Sequence, residues 1–173
     1  MEGNVMFKST RPYRGKSKRT DEWVEGLLGM AVDGGGGRFA VIQVNAFDYW
    51  SRGVGMAEEY GYKPRYEEID PKTVGQYTGV NDMNGRKIFE GDIVLIHSDD
   101  YMGFNERGIV TFQNGCYGVC YTFKWGKSQL PPETIFHRFG VVDYWQDMGA
   151  SGTINYTYKV LGNYYDNPIL LKV

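Results

Sequence analysis

Asn114-Gly115 stands between two short runs in which apolar and polar residues alternate, 109–113 and 116–121. Both residues accept the positive φ of a two-residue type I′ turn, so the segment reads as a β-hairpin. Such a turn leaves no freedom of register: Gln113 must face Cys116, Phe112 Tyr117, Thr111 Gly118 and Val110 Val119. Strand alternation then sets Val110, Phe112, Tyr117, Val119 and Tyr121 on one face, the expected core. Thr111, Gln113, Cys116 and Gly118 line a more open face. The composition extends this commitment to the whole chain. Twenty-four glycines and fourteen tyrosines among 173 residues describe a turn-rich, mostly β protein of one-domain size, with room for a second small lobe.

Elsewhere strands alternate with turns. The runs 22–28 and 38–44 read as a hairpin with a loose tip at 34–37. Asp70-Pro71 is a cap followed by a first-turn proline and predicts one helical turn over about 71–75. Residues 56–60 read as another helical turn, cut short by Gly53, Gly55 and Gly61. In the second half, 93–96, 109–113 and 155–161 read as strands, and 125–138, with Pro131-Pro132, as a long excursion. The expected fold is mostly β with short helical turns. An N-terminal α+β part over 1–78 leads into a small SH3-like β-barrel over 79–173, the two packed tightly enough to count as one structural unit.

Charge is unevenly placed. Residues 1–20 hold Lys8, Arg11, Arg14, Lys16, Lys18 and Arg19 against Glu2, a balance of +5; the chain totals −2, so the remainder carries −7. An acidic body repels nucleic acid and a basic arm attracts it. Arg11, Arg14, Lys16, Lys18 and Arg19 are therefore candidate contacts for weak single-strand binding, with Tyr13 placed to stack on an unpaired base. The competing reading is a strand edge guarded by cations.

Other signals exclude more than they assign. Cys116 and Cys120, four apart on one strand, have Cα atoms about 13 Å apart, beyond disulfide reach. With His97 and His137 they do not spell a zinc site, so two reduced thiols in a cytosolic protein are expected. Gly15-Lys16-Ser17 and Gly126-Lys127-Ser128 resemble the end of a phosphate loop, but Thr10 and Tyr121 stand where the motif needs its first glycine. No apolar run suits a membrane span, and Met1-Glu2-Gly3-Asn4 does not begin a secretory signal, so the bacterial cytoplasm is the expected location. His97-Ser98-Asp99-Asp100 is the best polar constellation. A histidine beside two carboxylates can bind a metal or act as a base, and a hydrolase built there needs a distant group such as His137. Ser and Asp directly after a strand are equally ordinary turn residues. No catalytic, metal or cofactor residue is assigned.

The most informative segment is 73–94. It holds Gln76-Tyr77-Thr78-Gly79, a turn with Asn84-Gly85, and then Ile88-Phe89-Glu90-Gly91-Asp92-Ile93. The tail adds Val160-Leu161-Gly162-Asn163 and Asn167-Pro168, and the hairpin 108–115 lies between. In these motifs the chain resembles the YopX family of phage and prophage proteins. The resemblance implies an N-terminal α+β part leading into a small β-barrel, a bacteriophage context and no established activity. It supplies no catalytic residues. Residues 45–68 and 124–150 depart from the family pattern and look like insertions.

The motif also has a physical explanation without catalysis. Asn84-Gly85 and Glu90-Gly91-Asp92 are tight turns bracketing a short apolar strand, and a side chain forced to positive φ costs on the order of 1 kcal/mol or more. Asp92 is placed to accept backbone N–H groups in its turn. The expected function is that of a non-enzymatic accessory protein with an unidentified protein partner. Exposed strand edges and abundant tyrosine favour a homo-oligomer. The alternatives are weak single-strand binding by the basic arm and a hydrolase using His97, Asp99 and Asp100.

Overall fold

The computed structural model describes residues 11–54, 57–98, 104–123, 133–140, 143–147 and 150–171. The chain divides into two compact units, Met1–Gln76 and Tyr77–Val173. The first is a layer of antiparallel strands in the order β4-β3-β2-β1, formed by β1 (Tyr13–Lys16), β2 (Trp23–Val32), β3 (Arg38–Val54) and β4 (Ala57–Glu68). On the far side of β1, Gly75 and Gln76 pair with Arg14 and Tyr13 as the start of β5 (Gly75–Asn81). The β2–β3 hairpin is present as expected, but its tip is fastened rather than loose. The Asp33 carboxylate accepts the N–H groups of Gly35 and Gly37, each at 2.8 Å. The turn after Asp70 is a short 3-10 segment, Pro71–Thr73, capped by the Asp70 side chain.

Residues 57–60 are strand, not helix. The β3–β4 pairing is irregular between Gln43 and Phe47 and then runs regularly from Phe47–Pro64 to Val54–Ala57, past the last β2 partner at Val44. An isolated helical turn sets one hydrogen bond against a large nucleation cost, whereas here each residue gains a ladder partner. The result is a two-stranded ribbon extending from the sheet.

The second unit is built on a five-stranded antiparallel sheet, ordered β10-β9-β8-β7-β13. Its strands are β7 (Asp92–Ser98), β8 (Phe104–Gln113), β9 (Cys116–Phe123), β10 (Glu133–Arg138) and β13 (Thr157–Asn163). The remainder of β5 pairs with β6 (Lys87–Phe89), and β11 (Asp143–Asp147) pairs with β12 (Ala150–Ile154) as a separate hairpin. The β8–β9 register is the one the Asn114-Gly115 turn dictates, from Gln113–Cys116 to Val110–Val119, with φ of 50° and 80° at the two turn residues. Val110, Val119 and Tyr121 are buried as expected. Phe112 is 53% exposed and lies against Tyr117 with ring centroids 4.9 Å apart. The core face therefore ends one pair short of the turn. Part of the expected excursion is β10, which extends the sheet; Pro131 and Pro132 lie outside the described residues.

A closed barrel is not formed: the edge strands β10 and β13 share no ladder among the described residues. They meet through side chains instead. His137 Nε2 lies 3.0 Å from the Tyr158 hydroxyl, and the Phe139 ring stands edge-on to Tyr158 at 4.8 Å. The sheet curls around Ile88, Val94, Ile96, Val110, Val119 and Val160, with Phe104, Ile135 and Tyr156 packed at the margin. No α-helix occurs among the described residues; besides Pro71–Thr73 there is a 3-10 turn at Pro168–Leu171. The fold is mostly β rather than α+β.

Two carboxylates anchor the turns of the second unit. Asp82 Oδ1 accepts the N–H groups of Asn84 and Arg86 at 2.8 and 2.9 Å, and its Oδ2 accepts that of Val160 at 3.1 Å. Asp92 is fully buried and accepts the Phe89 N–H at 2.8 Å, across a turn in which Gly91 has φ of 82°. Asp82→Ala leaves three amides without this acceptor, so its unfolding free energy in urea titration is expected to fall by about 2–3 kcal/mol with an unchanged m-value. Met83→Ala, at an exposed neighbouring position, should change it by less than about 0.5 kcal/mol.

Candidate functional site

The described part of the basic arm runs into β1 and the turn after it, and four of its cations are engaged. Arg14 is buried, its guanidinium 4.7 Å from the centre of the Trp23 ring. Lys16 Nζ lies 3.1 Å from the Asp21 carboxylate, and Lys18 Nζ 2.7 Å from that of Glu68. Arg19 Nη2 reaches both oxygens of Glu67 at 3.1 and 3.2 Å. The Lys18 pair, exposed on both sides, contributes about 0–1 kcal/mol to stability. The larger consequence of these contacts is to cancel the local positive potential that would attract phosphate. Tyr13 pairs with Gly26 and Gln76 within the sheet, and Arg11 lies just ahead of β1. Lys8 lies outside the described residues.

The histidines are not brought together. Ile96 and Ser98 face the core, so alternation turns His97 to the opposite face of β7, where Nδ1 lies 2.8 Å from Asn105 Oδ1. His137 is buried on the core side, opposite Val119, with its ring 4.3 Å from that of Tyr156. The two occupy opposite faces of one sheet. Asp99 and Asp100 lie outside the described residues. Cys116 and Cys120 are free thiols, and Cys120 Sγ accepts from Gln113 Nε2 at 3.1 Å. Among the described residues no three His, Cys, Asp or Glu side chains converge as a metal site does. No helix among them is long and apolar enough to cross a membrane.

The motif residues hold turns and strand ends. Gln76 pairs with Tyr13, and the Tyr77 hydroxyl donates to Asn81 Oδ1 at 2.8 Å. Thr78 Oγ1 donates to the Ile88 carbonyl at 2.8 Å, next to Gly79 at φ 90°. Asn84 and Gly85 form the turn held by Asp82, and Glu90, Gly91 and Asp92 the turn into β7. Asn163 Oδ1 accepts the N–H groups of Tyr165 and Asp166, Gly162 lies where a Cβ would meet Asn167 Oδ1 at 2.5 Å, and Pro168 opens the last 3-10 turn. Asp82, the strongest anchor of the set, escaped the sequence reading. Its signal was local: an Asp two residues before Asn84-Gly85, placed to cap that turn.

Sequence reasoning also missed a surface. One face of the first unit carries an open groove of about 680 Å³ lined by Leu27, Phe39, Val41, Gln43, Tyr66 and Glu68. Leu28 and Met30 also border this groove, and both are exposed, as is Val32. The pattern was legible in 27–32, Leu-Leu-Gly-Met-Ala-Val, which is apolar without alternation. In a strand such a run sets apolar side chains on both faces.

The profile of the YopX protein family matches residues 12–172. The chain belongs to the YopX family. That match spans both units and the motifs that carried the resemblance. The chain is also similar to protein EF1440 from Enterococcus faecalis, known from a crystal structure, at 22% identity and a TM-score of 0.44, over 95% of this chain and 100% of that one. Comparison with curated proteins found no match.

Glu67, Asp82 and Glu106 depart from ordinary titration. Hydrogen bonds from Ser17 Oγ (2.6 Å) and then Arg19 hold Glu67 below the usual carboxylate range despite its burial. Burial pushes Asp82 upward, but the N–H groups of Arg86, Val160 and Asn84 together outweigh it and the net shift is downward. Glu106, opposite Ile96 on the core-facing side of β8, is raised by burial. A lowered carboxyl stabilises the fold above its unfolded pKa of about 4, and that contribution is lost as pH falls through the folded value. A raised one contributes below its unfolded pKa, and that contribution is lost as pH rises through the folded value. Glu106→Gln is therefore expected to raise the thermal midpoint at pH 7, with the gain vanishing near pH 4. Thermal scans at the two pH values check this.

Proposed function

We propose that this YopX-family chain is a non-enzymatic protein-binding module of phage or prophage origin, acting in the bacterial cytoplasm on a protein partner. The observation that carries the reading is the open apolar groove of Leu27, Phe39, Val41 and Tyr66 on the sheet of the first unit. Its volume suits a side-chain cluster of a partner, and its openness suits a polypeptide surface better than an enclosed small molecule. Patches of this kind on a monomer mark interaction sites. The engagement of Arg14, Lys16, Lys18 and Arg19 within the chain weighs against phosphate binding, and the opposed faces of His97 and His137 weigh against a shared catalytic site. The curled sheet of the second unit supports an SH3-like arrangement left open between β10 and β13, a scaffold suited to holding binding surfaces.

Leu27→Ser/Tyr66→Ser is expected to lose a partner that the wild-type chain captures from bacterial lysate, while its far-UV circular dichroism stays unchanged. Fluorescence anisotropy with single- and double-stranded oligonucleotides should show no binding at about 50 mM salt, the condition that most favours phosphate contacts. Oligonucleotide binding that disappears on changing Arg11, Arg14, Lys16, Lys18 and Arg19 to alanine would overturn the proposal in favour of the arm.

A further inference from the structure

β4 is the outermost strand of its sheet, and its outer edge has no ladder partner among the described residues. Along the ribbon Tyr49 stands opposite Tyr62, Trp50 opposite Gly61, Asp48 opposite Lys63 and Arg52 opposite Glu59. Tyr49, Tyr60 and Tyr62 form a cluster, with ring centroids 5.8 Å (Tyr49–Tyr62) and 6.5 Å (Tyr49–Tyr60) apart. They are nonetheless 60%, 71% and 74% exposed. On the other face the Trp50 indole covers Gly61, 3.1 Å from where a Cβ would stand. A long, uncovered, tyrosine-rich edge is a template for another strand.

We propose that this edge pairs antiparallel with β4 of a second copy, about a two-fold axis through Gly61. An axis normal to the sheet requires facing residues to share a face, so only registers centred on a residue are open. Centring on Lys63 sets Lys63 against Lys63 and Glu59 against Glu67, like charges directly opposed, which is destabilising. Centring on Gly61 sets Glu59 opposite Lys63 twice and Tyr60 opposite Tyr62 twice. The charged row across the joined sheets then runs Asp48, Lys63, Glu59 of the second copy and Arg52 of the second copy, with signs alternating throughout. The tyrosine row runs Tyr49, Tyr62 and then Tyr60 of the second copy, covering the exposed rings. At the axis two glycines meet, each roofed by its own Trp50. Pro64, with no N–H to give, falls just beyond this stretch and ends it. The paired stretch, centred on Gly61, stops short of Tyr66, which β4 gives to the groove, and the inference does not depend on the partner-binding reading.

Sedimentation analysis of the wild-type chain over a concentration series should show a species of twice 19.7 kDa. Lys63→Glu and Glu59→Lys set like charges against each other across the axis, and each is expected to sediment as a monomer. Mixed in equal amounts, the two variants regain facing opposite charges on both sides of the axis, so a one-to-one heterodimer should form. A wild-type chain that remains at 19.7 kDa at several hundred micromolar overturns the proposal, whatever the variants do. So do variants that still self-associate, or folded monomeric variants that fail to pair when mixed. Leu27→Ser/Tyr66→Ser should remain dimeric, which separates failure of this edge from failure of the groove.

Discussion

Asp82 gathers three backbone amides onto one buried carboxylate, and the second unit is organised around that contact. Two of the amides belong to its own turn, and the third, Val160, comes from a strand 78 residues further along the chain. The neighbouring Met83 N–H adds a bond to the Tyr158 carbonyl at 2.8 Å. Together they fix where β13 enters the sheet. β13 in turn carries Tyr158 to His137, the contact that draws the two sheet edges together without a ladder. Asp92 repeats the device one turn later. Burying a carboxyl is costly unless hydrogen bonds meet it, and each turn brings at least one backbone N–H to its carboxyl through its own geometry.

This accounts for the family motif without assigning it a ligand. Thr78, Gly79, Gly85, Gly91, Asn163 and Gly162 each set a turn, a close approach or a strand end. The groove on which the proposed protein partner would dock lies elsewhere, in the first unit. There exposed apolar residues border the groove, and Lys16, Lys18 and Arg19 are matched by Asp21, Glu68 and Glu67. The proposed polypeptide partner rests on that apolar exposure and on the partial cancelling of the arm's charge.

Features set by neighbours in sequence were legible. The register of β8 and β9 followed from two turn residues, and the 3-10 turn followed from Asp70 and Pro71. Features set by distant residues were not. The strand at 57–60 depends on a partner strand whose pairing no local propensity reports. The fate of Lys18 and Arg19 was decided by Glu68 and Glu67, about fifty residues away, so charge counting over the first twenty residues overstated the basic arm. His97 and His137 were separated by strand parity within a sheet order that the sequence did not disclose. Phe112 followed the alternation correctly, but lies beyond the reach of the core that buries Val110.

The claim that the motif exists to anchor turns is tested most directly by native-state amide hydrogen exchange. The amides of Phe89 and Val160, bonded to Asp92 and Asp82, sit where the account places the strongest local constraint. They should exchange only through global unfolding, with protection equal to that of core amides such as Val110 and Val119. Exchange of either amide at the rate of an exposed turn, while the sheet amides stay protected, would show that these carboxylates do not hold the fold and would contradict the account.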